Sequence, residues 1–164
     1  MHYLRVLPFK QSESHCGPAS LKMVFGYYGT IVSEEELGRA AGTKIKFGTP
    51  PECLLRVANA YGFEGKWKKN ATVCDLRAWF DKGVPVIVNW FSTDEGHYSP
   101  VIGVDDTHVT IMDPDTGKRR SFHHETFMRV WFDFTPLWIE KPSQLRIRWM
   151  LPLVPKLISP RRAE

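Results

Sequence analysis

Residues 84–113, VPVIVNWFSTDEGHYSPVIGVDDTHVTIMD, decide the fold class, because here the chain changes its hydrophobic period. Val84 to Phe91 is a continuous apolar run bounded by turn residues, Tyr98 to Val104 is a second, and Val109 to Met112 is a third. Their β-branched and aromatic content predicts three strands. Asp113-Pro114-Asp115-Thr116-Gly117 then gives a strong turn signal, after which Arg119 to Phe122 is expected to return as a partner strand. A last short helix is expected from His124 to about Trp131.

Upstream of this stretch the period is helical. Ala19, Met23, Val24 and Tyr27 recur at helical spacing after Cys16-Gly17-Pro18, and Gly29 ends the segment. Ser33 followed by Glu34, Glu35 and Glu36 reads as a capping box, with acidic residues at the positive end of a helix that runs to about Gly42. Thr49-Pro50-Pro51-Glu52 opens a third helix, with Leu54, Leu55, Val57, Ala58 and Tyr61 as its apolar face and Gly62 as its stop. A short strand between Phe63 and Lys69 and a helix from Thr72 to about Lys82, capped by Thr72-x-x-Asp75, complete the first half. Helices first and antiparallel strands second make an α+β layout, with a helical layer on one side of a sheet and a cleft between the two. Residues 1–135 are expected to form this domain. From Thr135 onward, prolines 136, 142, 152, 155 and 160 predict an irregular tail, 136–164, with one apolar patch at Trp149 to Leu153.

Length and composition narrow the function classes. A chain of 164 residues suits one domain, and 43% hydrophobic with 24% charged residues is a globular balance. No window approaches the roughly 20 apolar residues of a membrane span, and the segment MHYLRVLPFKQSESH lacks a secretory h-region. Three cysteines cannot all pair within one chain, and their spacings match neither a zinc site nor a CxxC redox pair, so no metal or cofactor is expected and the cytoplasm is the expected compartment. The net charge of +4 is not spread over the domain: residues 1–136 hold 16 Lys/Arg against 16 Asp/Glu. The excess lies in the tail, where Lys141, Arg146, Arg148, Lys156, Arg161 and Arg162 face only Glu140 and Glu164. Nucleic acid is therefore not an expected partner, and contact with an acidic surface is a property of the tail alone.

Three residues carry the chemistry. Attack by cysteine requires a thiolate, and Cys16 stands just before a helix, where unpaired N–H groups and the dipole favour negative charge; Gly17 leaves room for a substrate beside the sulfur. Cys53 and Cys74 fall in amphipathic helices and read as core. His97 follows the polar segment Ser92-Thr93-Asp94-Glu95-Gly96 and precedes a strand, so its ring is expected at a strand end facing the cleft. Asp113 ends the next strand. If 98–104 and 109–112 form a hairpin, His97 and Asp113 lie at the same open end, where a carboxylate holds the imidazole.

QSESHCGPASLKMV, GHYSPVIGVDD and IMDPDTG resemble the glutamine-cysteine, histidine and aspartate motifs of the bacteriocin-processing, double-glycine cysteine peptidases, a papain-like group, over about residues 5–122. The resemblance implies a papain-like fold and hydrolysis of peptide bonds after small residues such as Gly-Gly. It implies Cys16 as nucleophile, His97 as base, Asp113 as orienting acid, and Gln11 as a side-chain donor to the oxyanion hole beside the Cys16 N–H. The expected partner is a peptide or protein substrate. Family members are usually part of an export transporter, so an exporter, where one is used, is expected as a separate chain. The same residues also suit an acyl transferase or deamidase, and a peptide-binding pseudopeptidase is the non-enzyme alternative. Trp90 and Tyr98 flank His97 and are candidates for cleft lining or core.

Overall fold

The computed structural model describes residues 2–93, 95–134 and 138–157. Three helices open the chain: α1 (Cys16–Tyr27), α2 (Glu34–Ala41) and α3 (Pro51–Ala60). Local signals account for their ends. The Ser33 hydroxyl accepts the Glu36 N–H at 3.1 Å, and Gly42 closes α2 in the left-handed region at φ +67. The expected reciprocal half of that box is replaced by a tertiary contact, since the Glu36 carboxylate accepts the Tyr61 hydroxyl at 2.6 Å and ties α2 to the end of α3. Strand β1 (Phe63–Glu64) is shorter than the expected 63–69. Helix α4 (Val73–Phe80) carries the complete Thr72/Asp75 capping box.

The second half supplies β2 (Val86–Ser92), β3 (Glu95–Val104), β4 (His108–Asp113), β5 (Lys118–His123), α5 (His124–Val130) and β6 (Phe132–Phe134). It ends with a 3-10 turn (Pro142–Gln144), β7 (Leu145–Ile147), β8 (Trp149–Pro152) and β9 (Val154–Pro155). The central sheet has the order β5-β4-β3-β2-β8, and every pair in it is antiparallel. On one face Ile87, Tyr98, Trp149 and Leu151 pack with Leu21, Val24, Phe25, Leu37 and Leu54 from α1–α3. On the other face Val86, Val88, Trp90, Ile111 and Met150 pack with Leu76 of α4 and Phe127 of α5. The single helical layer expected from sequence therefore describes only one side. The reason is in the strands themselves: β2, β3 and β4 are nearly unbroken buried runs, and a strand without a polar face needs cover on both sides.

The expected tail is not a tail. Residues 145–155 add β7 to β6, β8 to β2 and β9 to β1, and Trp149, Met150, Leu151 and Leu153 are buried. The boundary at 135 thus divides one fold. Proline misled the sequence reading because it is tolerated wherever a backbone donor is not needed. Pro142 opens the 3-10 turn, and Pro152 ends β8, an outer strand of the sheet. Arg148, at φ +48, turns the chain between β7 and β8 while its N–H donates to the Trp131 carbonyl at 2.9 Å. Pro136, Pro160, Arg161, Arg162 and Glu164 lie outside the described residues.

Candidate active site

Cys16 is the first residue of α1, at the sheet end where β4 stops and β3 continues past it. The loop leading to it is held from two sides. The Gln11 N–H donates to the Pro114 carbonyl at 2.8 Å, which fastens the loop to the turn after β4. On the other side the buried Glu34 carboxylate accepts the Ser12 N–H at 2.9 Å and the Ser12 hydroxyl at 2.6 Å. Ser14 adopts φ +60 and its hydroxyl donates to the Ile45 carbonyl, linking the loop to one cleft wall.

His97 lies inside β3 rather than before it. The β2–β3 ladder runs from Val86↔Val101 out to Ser92↔Glu95, so Ser92, Glu95 and Gly96 of the expected polar loop are paired strand. Ladder hydrogen bonds use the main chain, and polar side chains do not end them. Trp90 is the cross-strand partner of His97, and its ring meets the imidazole edge-on at 5.6 Å. It belongs to the core of the opposite face. Tyr98 points the other way, lines the cleft and donates its hydroxyl to the Thr49 carbonyl at 3.0 Å.

The structure brings His97 and Asp113 together. His97 Nε2 lies 2.8 Å from Asp113 Oδ1, with both side chains buried. Asp113 Oδ1 also accepts the Asp115 N–H at 2.9 Å, and Oδ2 accepts Arg120 Nη1 at 2.9 Å. Burial opposes ionisation of Asp113, but the hydrogen bonds from His97 and Arg120, the charge of His97 and the Asp115 N–H outweigh it and hold the carboxyl below its usual 3.8. An ionised carboxylate only accepts, so Nε2 carries a proton and the other ring nitrogen is left for Cys16, whose proximity favours the charged ring. Burial works against a charged ring here too. The bonds to Asp113 and Cys16 prevail and raise His97 from 6.5 to about 9.

Arg120 is the residue that sequence reasoning missed. It falls in the expected strand Arg119 to Phe122 with no role read for it, yet its guanidinium lies 5.2 Å from the Trp90 ring and 5.1 Å from that of Phe122 while it holds Asp113. Strand alternation from the 113–117 turn is the signal that separates Arg120 from its neighbours.

The two pKa shifts define a pH window for stability. His97, raised, stabilises fully below about pH 6.5, and that contribution is lost as pH climbs through about 9. Asp113, lowered, stabilises fully above about pH 3.8 and loses its contribution as pH falls through its depressed value. We expect the wild-type urea midpoint to decline between pH 6.5 and about 9. The decline should be much reduced in His97→Gln. Parallel profiles for the two proteins would show that the pair does not contribute in this way.

Cys16 opens onto a cleft of about 490 Å³, with the segment Ile45–Glu52 on one side and Phe91, Gly96, Phe134 and Arg146 on the other. Gln11 lines it as well, so the structure places that residue at the same cleft as Cys16. Asp133 and Arg146, paired at 2.6 Å, close one end. Of the remaining thiols, Cys53 is half-buried but Cys74 is exposed, which corrects its reading as core: it sits in the first turn of α4 on the side away from Leu76. Among the described residues no group of three or more His, Cys, Asp or Glu is placed to hold a metal ion, and no helix is long and apolar enough to cross a membrane.

Comparison with known proteins shows the family and the fold. A family model described as the Peptidase C39 family matches residues 6–143. The transport/processing ATP-binding protein ComA of Streptococcus pneumoniae is 34% identical over 158 residues, covering 91% of this chain but only 21% of that protein's length. An uncharacterized protein of Methanothermobacter thermautotrophicus is 34% identical over 133 residues, 80% of this chain and 87% of that one. Among solved structures, the peptidase domain of Streptococcus ComA has a TM-score of 0.72 at 24% identity, covering 93% of this chain and 100% of that domain. A double glycine motif protease from an AMS/PCAT transporter, in complex with the leader peptide, also has a TM-score of 0.72, at 23% identity, with 94% and 95% covered. These structures share the papain-like α+β fold described above. The chain belongs to the Peptidase C39 family of cysteine-type peptidases.

Proposed function

We propose that the protein hydrolyses a peptide after a pair of small residues, Gly-Gly first among them, using Cys16 as nucleophile. One observation carries this reading: the buried His97–Asp113 pair, 2.8 Å apart, holds the ring next to Cys16, which itself opens onto the cleft. Cys16 Sγ, its proton taken by His97, attacks the scissile carbonyl carbon. The oxyanion accepts hydrogen bonds from the Gln11 side-chain amide and the Cys16 N–H, which faces outward because the first N–H groups of a helix have no intrahelical partner. His97 gives its proton to the leaving amine as the C–N bond breaks, and a thioester remains. Water, deprotonated by His97, attacks that thioester, releasing the acid and restoring the thiol. Asp113 keeps the ring in the productive tautomer throughout, and Arg120 keeps Asp113 from turning away.

The substrate class follows from the relatives. ComA is described as a transport/processing protein and the AMS/PCAT protease as a double glycine motif protease bound to a leader peptide. By that likeness the substrate is a peptide bound for export, delivered to an exporter, and the work is done in the cytoplasm, where a thiol stays reduced. The test is a panel of Gly-Gly peptides and one denatured protein, incubated under reducing conditions and read by mass spectrometry. Cleavage after the second glycine is the expected result. Gln11→Ala should lower kcat by roughly 10²–10³ with a smaller change in KM, because its amide meets the oxyanion only in the transition state. No Cys16-dependent cleavage of any substrate, with the thiol still reactive, would transfer the assignment to acyl transfer or peptide binding.

A further inference from the structure

Asn89 stands in the middle of β2, a strand paired on both sides, by β3 and by β8. Its neighbours along the strand are Ile87, Val88, Trp90 and Phe91, and asparagine is among the residues that such a position disfavours. The side chain is 1% exposed. Packing gives no reason for a carboxamide here.

Its hydrogen bonds are only half made. Nδ2 donates to the His97 carbonyl at 3.4 Å, and this acceptor fixes the orientation of the amide, because the opposite orientation would set two oxygens against each other. Oδ1 is buried and has no partner among the described residues. Asn89 lines the cleft together with Cys16 and Tyr98, and Gly96 lines the same wall, where an added Cβ would fall 1.9 Å from Asp133 Oδ1. The Asp133 carboxylate thus packs directly on Gly96, and the unmatched acceptor lies on the same cleft wall. Burying an acceptor without a donor is costly, so a residue kept in this state is explained by a donor that arrives with the ligand.

We infer that Asn89 is a substrate-binding residue whose Oδ1 accepts a hydrogen bond from one main-chain N–H of the peptide in the cleft. The inference rests on the peptidase reading above. A main-chain donor fits because an extended peptide offers N–H groups at regular intervals whatever its side chains. The contact fixes the register of the peptide relative to Cys16. It is independent of the Nδ2 bond, which holds the His97 main chain.

The experiment uses a cleavable Gly-Gly peptide in which one main-chain N–H at a time is replaced by N-methyl or, to remove the donor without adding bulk, by an ester oxygen. Wild type is compared with Asn89→Leu, and with Asn89→Ala in case leucine disturbs the strand. Both carry Cys74→Ser, so that the alkylation rate of Cys16 reports an intact catalytic centre. At one position the replacement should lower wild-type kcat/KM by roughly three- to tenfold, mainly through KM, and have no further effect in the Asn89 variants. Equal penalties in wild type and variants at every position would overturn the inference and leave the peptidase reading standing. Failure of wild type to cleave the unmodified peptide would overturn both.

Discussion

Removing residues 142–164 should unfold the protein. The deletion takes away β8, which pairs with β2 from Val86↔Pro152 to Asn89↔Trp149, and so exposes the strand that carries the cleft floor. It removes Trp149, Leu151 and Leu153 from the core beneath α1–α3 and Met150 from the opposite core. Each such side chain contributes about 1.5–3 kcal/mol on burial, and four of them together approach the whole stability of a typical domain, about 5–15 kcal/mol. Hydrogen bonds go with them: the Trp131 indole loses the Trp149 carbonyl, Tyr28 loses the Leu153 carbonyl, and the Ala71 N–H loses the Arg148 carbonyl. Circular dichroism and thermal melting of the truncated chain decide the point, with Trp149→Ala as a graded control that should cost about 3–5 kcal/mol. A truncated protein that melts like wild type would mean that β8 is dispensable.

The second large effect is on turnover. Cys16→Ala should abolish it, since Cys16 is the only thiol among the described residues that line the cleft. His97→Ala should lower kcat/KM by about 10²–10⁴, the usual range for a positioned acid–base group, and should also slow alkylation of Cys16. Asp113→Asn is a harsher change than its size suggests. Asp113 accepts from His97, Arg120 and the Asp115 N–H at once, and an asparagine presents a donor to at least one of them. It should therefore lose stability as well as activity, which Arg120→Met, keeping Asp113 ionised beside His97, should do to a smaller degree. Alkylation must be followed with Cys74 replaced, because that thiol is exposed. Wild-type turnover in Cys16→Ala would remove the proposed nucleophile.

Much of this architecture is written in neighbouring residues. Helical spacing after Cys16, the Ser33 and Thr72 caps, Gly42, and the turn Asp113–Gly117 each act within a few positions, and α1, α2, α4 and the β4–β5 hairpin lie where those signals put them. Cys16 and Asp113 were legible for the same reason: one begins a helix and the other ends a strand before a turn. His97 was legible as a residue but not as a strand member, because the ladder that extends to Ser92↔Glu95 depends on β2.

By itself, then, the sequence determined the order and type of the elements as far as α5, the α+β class, and the residues able to do thiol chemistry. Only the tertiary structure decided which strands share a sheet and which side chains meet. β8 shows why: Trp149 pairs with Asn89, about sixty residues earlier, and no local pattern in a proline-broken segment encodes a partner so distant. The same holds for Arg120 on Asp113 and for the unmatched oxygen of Asn89. A lone arginine in a basic run or a lone asparagine in an apolar one acquires meaning only when folding sets a carboxylate beside the first and a cleft beside the second.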